Sequence, residues 1–169
     1  MGDVFKEQIV KRHPSFTDNF KRVGLIIAAM IITIIAFTII PPFAPFLMAA
    51  AFFGAWFVMS FLRKEFEYSF TSGELDIDVI YNRSRRKRQM SIRVSDIEIM
   101  AHIDNKTHTG SFSNAQLVLD FSSGQTAANT YAFMINHQGK RTKVIIEPNE
   151  VMLKALAGVL TRRKLHYNA

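Results

Sequence analysis

From Val23 to Leu62 the chain runs for forty residues without a charged side chain. Pro41, Pro42 and Pro45 divide this stretch into two apolar halves, Val23 to Ile40 and Phe46 to Leu62. Eighteen residues at ~1.5 Å each give ~27 Å of helix, close to the ~30 Å of a hydrocarbon core. The first half is Ile-rich on every face, so it has no polar side for water. The second half carries Ala49, Ala50, Ala51, Gly54 and Ala55, small residues that let another helix approach closely. Proline ends a helix and restricts the residue before it, so the two halves predict a tight helical hairpin. Two membrane spans are expected, with a re-entrant hairpin as the rival geometry.

Beyond Glu65 the apolar period changes from helical to two. Phe66, Tyr68 and Phe70 alternate with Glu67 and Ser69, then Thr71-Ser72-Gly73 makes a turn. Leu75, Ile77, Val79 and Tyr81 alternate with Asp76 and Asp78. Met90, Ile92 and Val94 form a third strand, and Ile97, Ile99 and Ala101 a fourth. Three more are expected at Leu117 to Phe121, Asn129 to Asn136 and Arg141 to Glu147, with Gln138-Gly139 as a hairpin link. The period then returns to helical. Pro148-Asn149-Glu150 opens a helix with Met152, Leu153, Leu156, Val159 and Leu160 on one face, Gly158 allowing close approach to a sheet, and Arg162, Arg163 and Lys164 at its C-terminal end. The tally is seven short strands followed by one helix. The lead, residues 1–22, offers only Val4, Phe5, Ile9 and Val10 as an apolar stripe. It is expected as a brief amphipathic helix on the membrane or a disordered segment.

Charge refines this layout. The chain has 21 Lys and Arg against 14 Asp and Glu, for a net +7. The excess lies beside the apolar segment and in the C-terminal tail, which suits an anionic inner leaflet. Lys11, Arg12, Lys21 and Arg22 precede the first half, Arg63 and Lys64 follow the second, and the link between them has no cation. The positive-inside rule therefore puts both termini in the cytoplasm, in a multi-pass membrane protein. The sequons at Asn82 and Asn105 are then accidental. With no Cys, disulfides, thiolate metal sites and Cys nucleophiles are excluded.

Seven antiparallel strands and a C-terminal helix is the order of a pleckstrin-homology-like (PH-like) domain. Tyr68-Ser-Phe-Thr-Ser-Gly-Glu-Leu-Asp-Ile, Arg85-Arg-Lys-Arg, Ile92 and Asp96-Ile97 resemble bacterial PH-like domains. With Asp3-Val-Phe-Lys-Glu-Gln, Lys11-Arg12 and Glu147-Pro-Asn, nearly the whole chain is similar to a family of uncharacterised small two-helix membrane proteins from Gram-positive anaerobes. Tyr81-Asn82-Arg83 stands where that pattern often has a Gly. The resemblance implies a membrane α-helical hairpin plus an α+β PH-like domain with a partly open barrel. The division expected is a cytoplasmic segment at 1–22, a hairpin at 23–62 (helices 23–40 and 46–62) and a cytoplasmic PH-like domain at 65–165. The resemblance brings no activity with it.

Candidate chemistry is sparse. The basic run Arg83, Arg85, Arg86, Lys87 and Arg88 is the sharpest local feature. A strand throughout would put Arg86 and Arg88 on the face of Met90 and Ile92, so a loop or splayed strand end is expected. The run is a candidate grip on anionic lipid headgroups, or only a solvated basic loop. Asp76 and Asp78 are expected on an exposed strand face, opposite Arg partners. His102 and His108 lack a third ligand, so no metal site is expected. The loop from Asp104 to Asn114 is polar and long. No phosphate loop, nucleophile elbow or metalloprotease motif occurs, so neither catalysis nor a cofactor is expected. No aromatic platform flanks the Arg run, which argues against nucleic acid. The sequence thus reads as a membrane-anchored, non-enzymatic interaction module. Its expected partners are membrane lipids and a protein segment. The alternative is an assembly or stability factor acting through the hairpin, with Ala50, Gly54 and Ala55 at the helix contact and a homo-oligomer left open.

Overall fold

The computed structural model describes residues 5–105, 109–125, 127–160 and 165–166. Nine strands and four α-helices occur among them. In chain order they are β1 (Lys6–Lys11), α1 (Phe16–Ile39), α2 (Ala44–Ser60), β2 (Lys64–Thr71), β3 (Glu74–Tyr81) and β4 (Arg85–Arg93). Then come β5 (Ile99–His102), α3 (Thr109–Phe112), β6 (Leu117–Asp120), β7 (Tyr131–His137), β8 (Lys140–Ile146), α4 (Glu150–Val159) and β9 (Leu165–His166). The chain forms two compact units. One is the β domain, with the chain up to His13, Glu65–Ile80 and everything from Arg85 on; the other is the hairpin, Pro14–Lys64, with the turn Tyr81–Ser84.

The hairpin unit is made of α1 and α2, joined by a 3-10 turn at Pro41–Phe43. α1 begins seven residues before the apolar run. Ser15 caps it, and the Asp18 carboxylate accepts from the Ser15 N–H at 3.1 Å. α1, and α2 together with the 3-10 turn before it (Pro41–Ser60), are long and apolar enough to cross a membrane, and only 11% of each apolar window is buried. That low figure separates them from the core helices of a soluble domain. The buried residues of the pair are all alanine: Ala29 and Ala36 on α1, Ala44 and Ala55 on α2. The hydroxyls of Thr33, Thr38 and Ser60 donate back to Ala29, Ile34 and Phe57 carbonyls of their own helices at 2.6–2.8 Å. Those three hydroxyls are thereby satisfied within their own helices.

The β domain holds two sheets, ordered β1-β2-β3-β4 and β6-β8-β7-β5-β9. Neither closes, so the expected partly open barrel is corrected to two separate sheets. The reason lies after β4. A 3-10 turn at Val94–Asp96 breaks the strand, and β5 then pairs with β7 instead of β4. The pairs β6–β8 and β5–β9 are parallel, so the domain is not wholly antiparallel. Two-residue turns link β2 to β3 at Ser72-Gly73, β3 to β4 at Asn82-Arg83 and β7 to β8 at Gln138-Gly139. All six residues have positive φ, as primed hairpin turns require.

The core lies between these elements. Phe66, Tyr68, Phe70, Leu75, Ile77, Val79, Met90 and Ile92 supply the first sheet's buried face. Tyr131 to Ile135 are buried in succession on β7, so both faces of that central strand are covered. Tyr68 is fully buried; its hydroxyl donates to the Phe121 carbonyl at 2.6 Å and accepts from the Glu147 N–H at 3.3 Å. It ties the first sheet to the chain leaving β6 and β8, and burial pushes its ionisation well up. α4 is capped by Asn149, whose side chain accepts from Met152 N–H at 2.8 Å, and it buries Met152 and Leu156. A side chain at Gly158 would meet nothing within 4 Å, so that glycine serves no close approach to a sheet. The tail cations Arg162, Arg163 and Lys164 lie outside the described residues, as do Val4 and His108.

The lead differs most from expectation. Lys6–Lys11 is an edge strand, antiparallel to β2 with Val10 opposite Phe66 and Lys11 opposite Glu65. It is neither an amphipathic helix nor a disordered lead. Only Val10 of this strand is buried, and side-chain bonds hold the rest. Gln8 donates to the Glu147 carbonyl at 2.8 Å and accepts from the Asn149 N–H at 2.7 Å. Arg12 Nη1 reaches Asp120 Oδ2 at 2.8 Å and the Ser122 carbonyl at 3.3 Å. Gly124, at φ +83°, passes so near Arg12 that a Cβ would sit 3.2 Å from its Nε. The hairpin is therefore inserted between the first and second strands of a single domain.

Candidate functional site

The basic run lies on β4, an edge strand that begins at Arg85. The expected loop or splayed strand end is corrected in part: Arg83 does lie in the turn, but Arg85 to Arg88 are paired strand, and pairing removes the penalty that argued against a strand. Arg86 Nη2 binds Glu67 Oε1 on β2 at 2.6 Å. Arg88 bridges β3, with Nη2 2.9 Å from Asp76 and Nε 3.3 Å from Asp78. The aspartates thus have the Arg partner that their spacing suggested, although Asp78 is buried where an exposed face was expected. Arg85 and Lys87 are exposed and have no ion pair among the described residues. Arg83 belongs to the turn, at φ 57°.

Glu67 is the member that sequence reasoning missed. It alternates with Phe66 and Tyr68 and reads as solvent-facing, yet it is only 1% exposed. On β1, Ile9 stands opposite Glu67 and Glu7 one step diagonally along the same face. Burial raises the Glu67 carboxyl to about 7; a hydrogen bond shared with Glu7 adds to this, Arg86 opposes it, and Asp78 contributes a smaller push upward. The face is therefore a network in which Arg86 and Arg88 meet Glu67, Asp76 and Asp78, with Glu7 beside them and carboxyl groups in excess.

This arrangement alters the electrostatics of the headgroup candidate. Five cations at ~1 kcal/mol each set a ceiling of ~5 kcal/mol on attraction to an anionic surface, and two of the five now face carboxylates. On the strand itself, Arg85 and Lys87 remain exposed candidates.

The helix-packing candidates also divide. Ala55 is buried. Ala50 is exposed, and a Cβ on Gly54 would meet nothing within 4 Å. His102 accepts from the Asp104 N–H at Nδ1 (3.3 Å) and lies 2.9 Å from the Ala128 carbonyl through Nε2, so backbone occupies both ring nitrogens. Among the described residues no group of three or more His, Asp or Glu could hold a metal ion. A shallow polar cleft of about 250 Å³ lies among Glu74, Ser91, Arg93, Asp96 and His137. Arg93 and Asp96 are 3.7 Å apart there.

One family model, described as Bacterial PH-like domain (DUF6106), matches residues 2–165. It spans hairpin and β domain together, so no separate two-helix membrane family is distinguished. No curated protein and no solved structure matches the chain. The chain belongs to this bacterial PH-like family.

Proposed function

We propose that this member of the bacterial PH-like family is a membrane-anchored, non-enzymatic interaction module. The hairpin crosses the bacterial cytoplasmic membrane twice and holds the β domain at its cytoplasmic surface. One observation carries this reading: the exposed apolar helices leave and re-enter the same folded domain, since β1 and β2 pair directly across the insertion. A hairpin whose two ends return to one domain fits an even number of crossings. The ligand is a protein segment or anionic headgroups, met through the exposed edge of β4 with Arg85 and Lys87.

A second reading, an assembly or stability factor acting through the hairpin, is favoured by Gly54 and Ala50. Their small side chains are not consumed by the α1–α2 contact, so a further helix could pack there. Photo-crosslinking in intact cells separates the two. Capture of one protein from a probe at Arg85 or Lys87 supports the interaction module. Capture only from a probe at Ala50, abolished by Gly54→Leu, replaces it with the assembly factor.

A further inference from the structure

β4 is the longest strand among the described residues, nine residues from Arg85 to Arg93, and there it pairs with β3 alone. Its other edge therefore carries a row of backbone donors and acceptors with no ladder partner. The strand holds no proline and no glycine, so nothing in it breaks pairing with a further strand. Arg85 to Gln89 are all exposed, which leaves the first half of this edge open.

Charge decides what can pair there. Alternation puts Arg86 and Arg88 on one face of the strand and Arg85 and Lys87 on the other. Arg86 and Arg88 are committed to Glu67, Asp76 and Asp78. Arg85 and Lys87 are exposed and have no ion pair among the described residues. A second copy pairing edge to edge would set one basic run beside another, and like charges across a ladder repel. A strand that brings carboxylates two residues apart is attracted instead, since each carboxylate meets one of the two cations across the new ladder. A headgroup surface can meet the same cations but offers no strand to extend the sheet. Beyond Arg88 the edge is uncharged as far as Ile92. Gln89 and Ser91 are exposed, and Ser91, Ile92 and Arg93 lead into the cleft shared with Asn136 and His137 of β7. The carboxylates of an occupant thus belong at one end, opposite Arg85 and Lys87, with uncharged polar residues along the rest.

We propose that the free edge of β4 takes an extended protein segment with two carboxylates in alternate positions, added as a fifth strand to the β1-β2-β3-β4 sheet. Backbone pairing extends the ladder, and Arg85 and Lys87 select the acidic end. This rests on the reading of the chain as an interaction module whose ligand meets β4, and it narrows that ligand to an acidic strand.

The test uses the full chain in phosphatidylcholine nanodiscs. Two peptide probes are added in turn, Glu-Thr-Glu-Thr-Gln-Thr-Gln-Thr-Gln and the same sequence reversed, so that the strand direction is read as well. Hydrogen exchange at the amides of Arg85 to Arg93 is followed by mass spectrometry. One probe is expected to slow exchange there. Arg85→Gln and Lys87→Gln each weaken its apparent affinity about threefold, within what an exposed ion pair contributes. Lys140→Gln, an exposed cation on β8, leaves it unchanged. The same probe with its amides N-methylated keeps the charge, loses the ladder and gives no protection. No protection by either probe overturns the inference, and so does equal protection by the N-methylated probe. Exchange slowed by phosphatidylglycerol nanodiscs and by neither probe overturns it too, but leaves the interaction module standing with headgroups as its ligand. Exchange slowed by none of these removes β4 from that reading as well. Slowed exchange in nanodiscs that hold two copies, and not in those that hold one, assigns the edge to a second copy instead.

Discussion

At the scale of single residues, two side chains carry opposite lessons. Glu67 is a carboxyl held out of water, with its folded value raised from 4.5 to about 7. A raised carboxyl holds a proton that the unfolded chain has released. Its contribution to stability is therefore full below 4.5 and is lost as pH rises through about 7. Glu67→Gln is expected to remove this loss, so the variant gains on the wild type in thermal melts as pH climbs through that window. A constant difference between the two would refute the buried state of the carboxyl. Arg83 is the reverse case, a charge held on an unfavourable backbone. Left-handed φ costs roughly 1–2 kcal/mol, and the greater freedom of glycine in the unfolded chain returns about 0.4–1 kcal/mol. Arg83→Gly should thus stabilise the domain by about 0.5 kcal/mol in denaturant melts, and a loss of stability would show that the Arg83 side chain is structural. The Arg83 turn is partly legible, since Tyr81-Asn82-Arg83 stands where the resembling pattern often has a Gly, but the state of Glu67 is not. Glu67 has the spacing of an exposed strand residue, and its burial comes from β1, which lies more than fifty residues away in the chain.

At the scale of elements, the legible parts are those with a strong apolar period or a forced turn. α1 and α2 follow from forty uncharged residues broken by proline, and α4 from its apolar face and its Asn149 cap. Ser72-Gly73 and Gln138-Gly139 are turns in which glycine announces the left-handed residue. β1 stays hidden because an edge strand that buries only Val10 shows no alternation. The early start of α1 was available in Ser15 and Asp18, three residues apart in the pattern of a capping box. The strand character of Arg85 to Arg88 could not be read, since it depends on which carboxylates the register of three strands brings opposite. β1 is held by polar contacts, so its attachment can be tested by cutting one. Arg12→Ala removes bonds to Asp120 and to the Ser122 carbonyl, and these part-exposed groups set an expected cost of about 1.5 kcal/mol in urea unfolding. A cost near zero would mean that β1 is only loosely docked.

At the scale of the whole molecule, the arrangement is a domain interrupted in sequence by an apolar helical hairpin. The first strand is made before the hairpin and its partner strand after it, so the sheet closes only when both helices have been placed. Both ends of the hairpin are then fixed to one folded body, which agrees with the placement of cations at Lys21, Arg22, Arg63 and Lys64 and with their absence from Pro41 to Pro45. Family membership extends over hairpin and domain together, as this interleaving requires. The absence of cysteine makes the central claim directly measurable, because any introduced thiol is unique. Phe43→Cys places one in the turn between α1 and α2, and Lys87→Cys places one on the exposed edge of β4. A membrane-impermeant maleimide added to intact cells is predicted to label the cysteine at 43 at once, and the cysteine at 87 only after the membrane is broken. Labelling at 87 in intact cells, or protection of 43 until disruption, would contradict a hairpin that crosses the membrane and returns to one cytoplasmic domain.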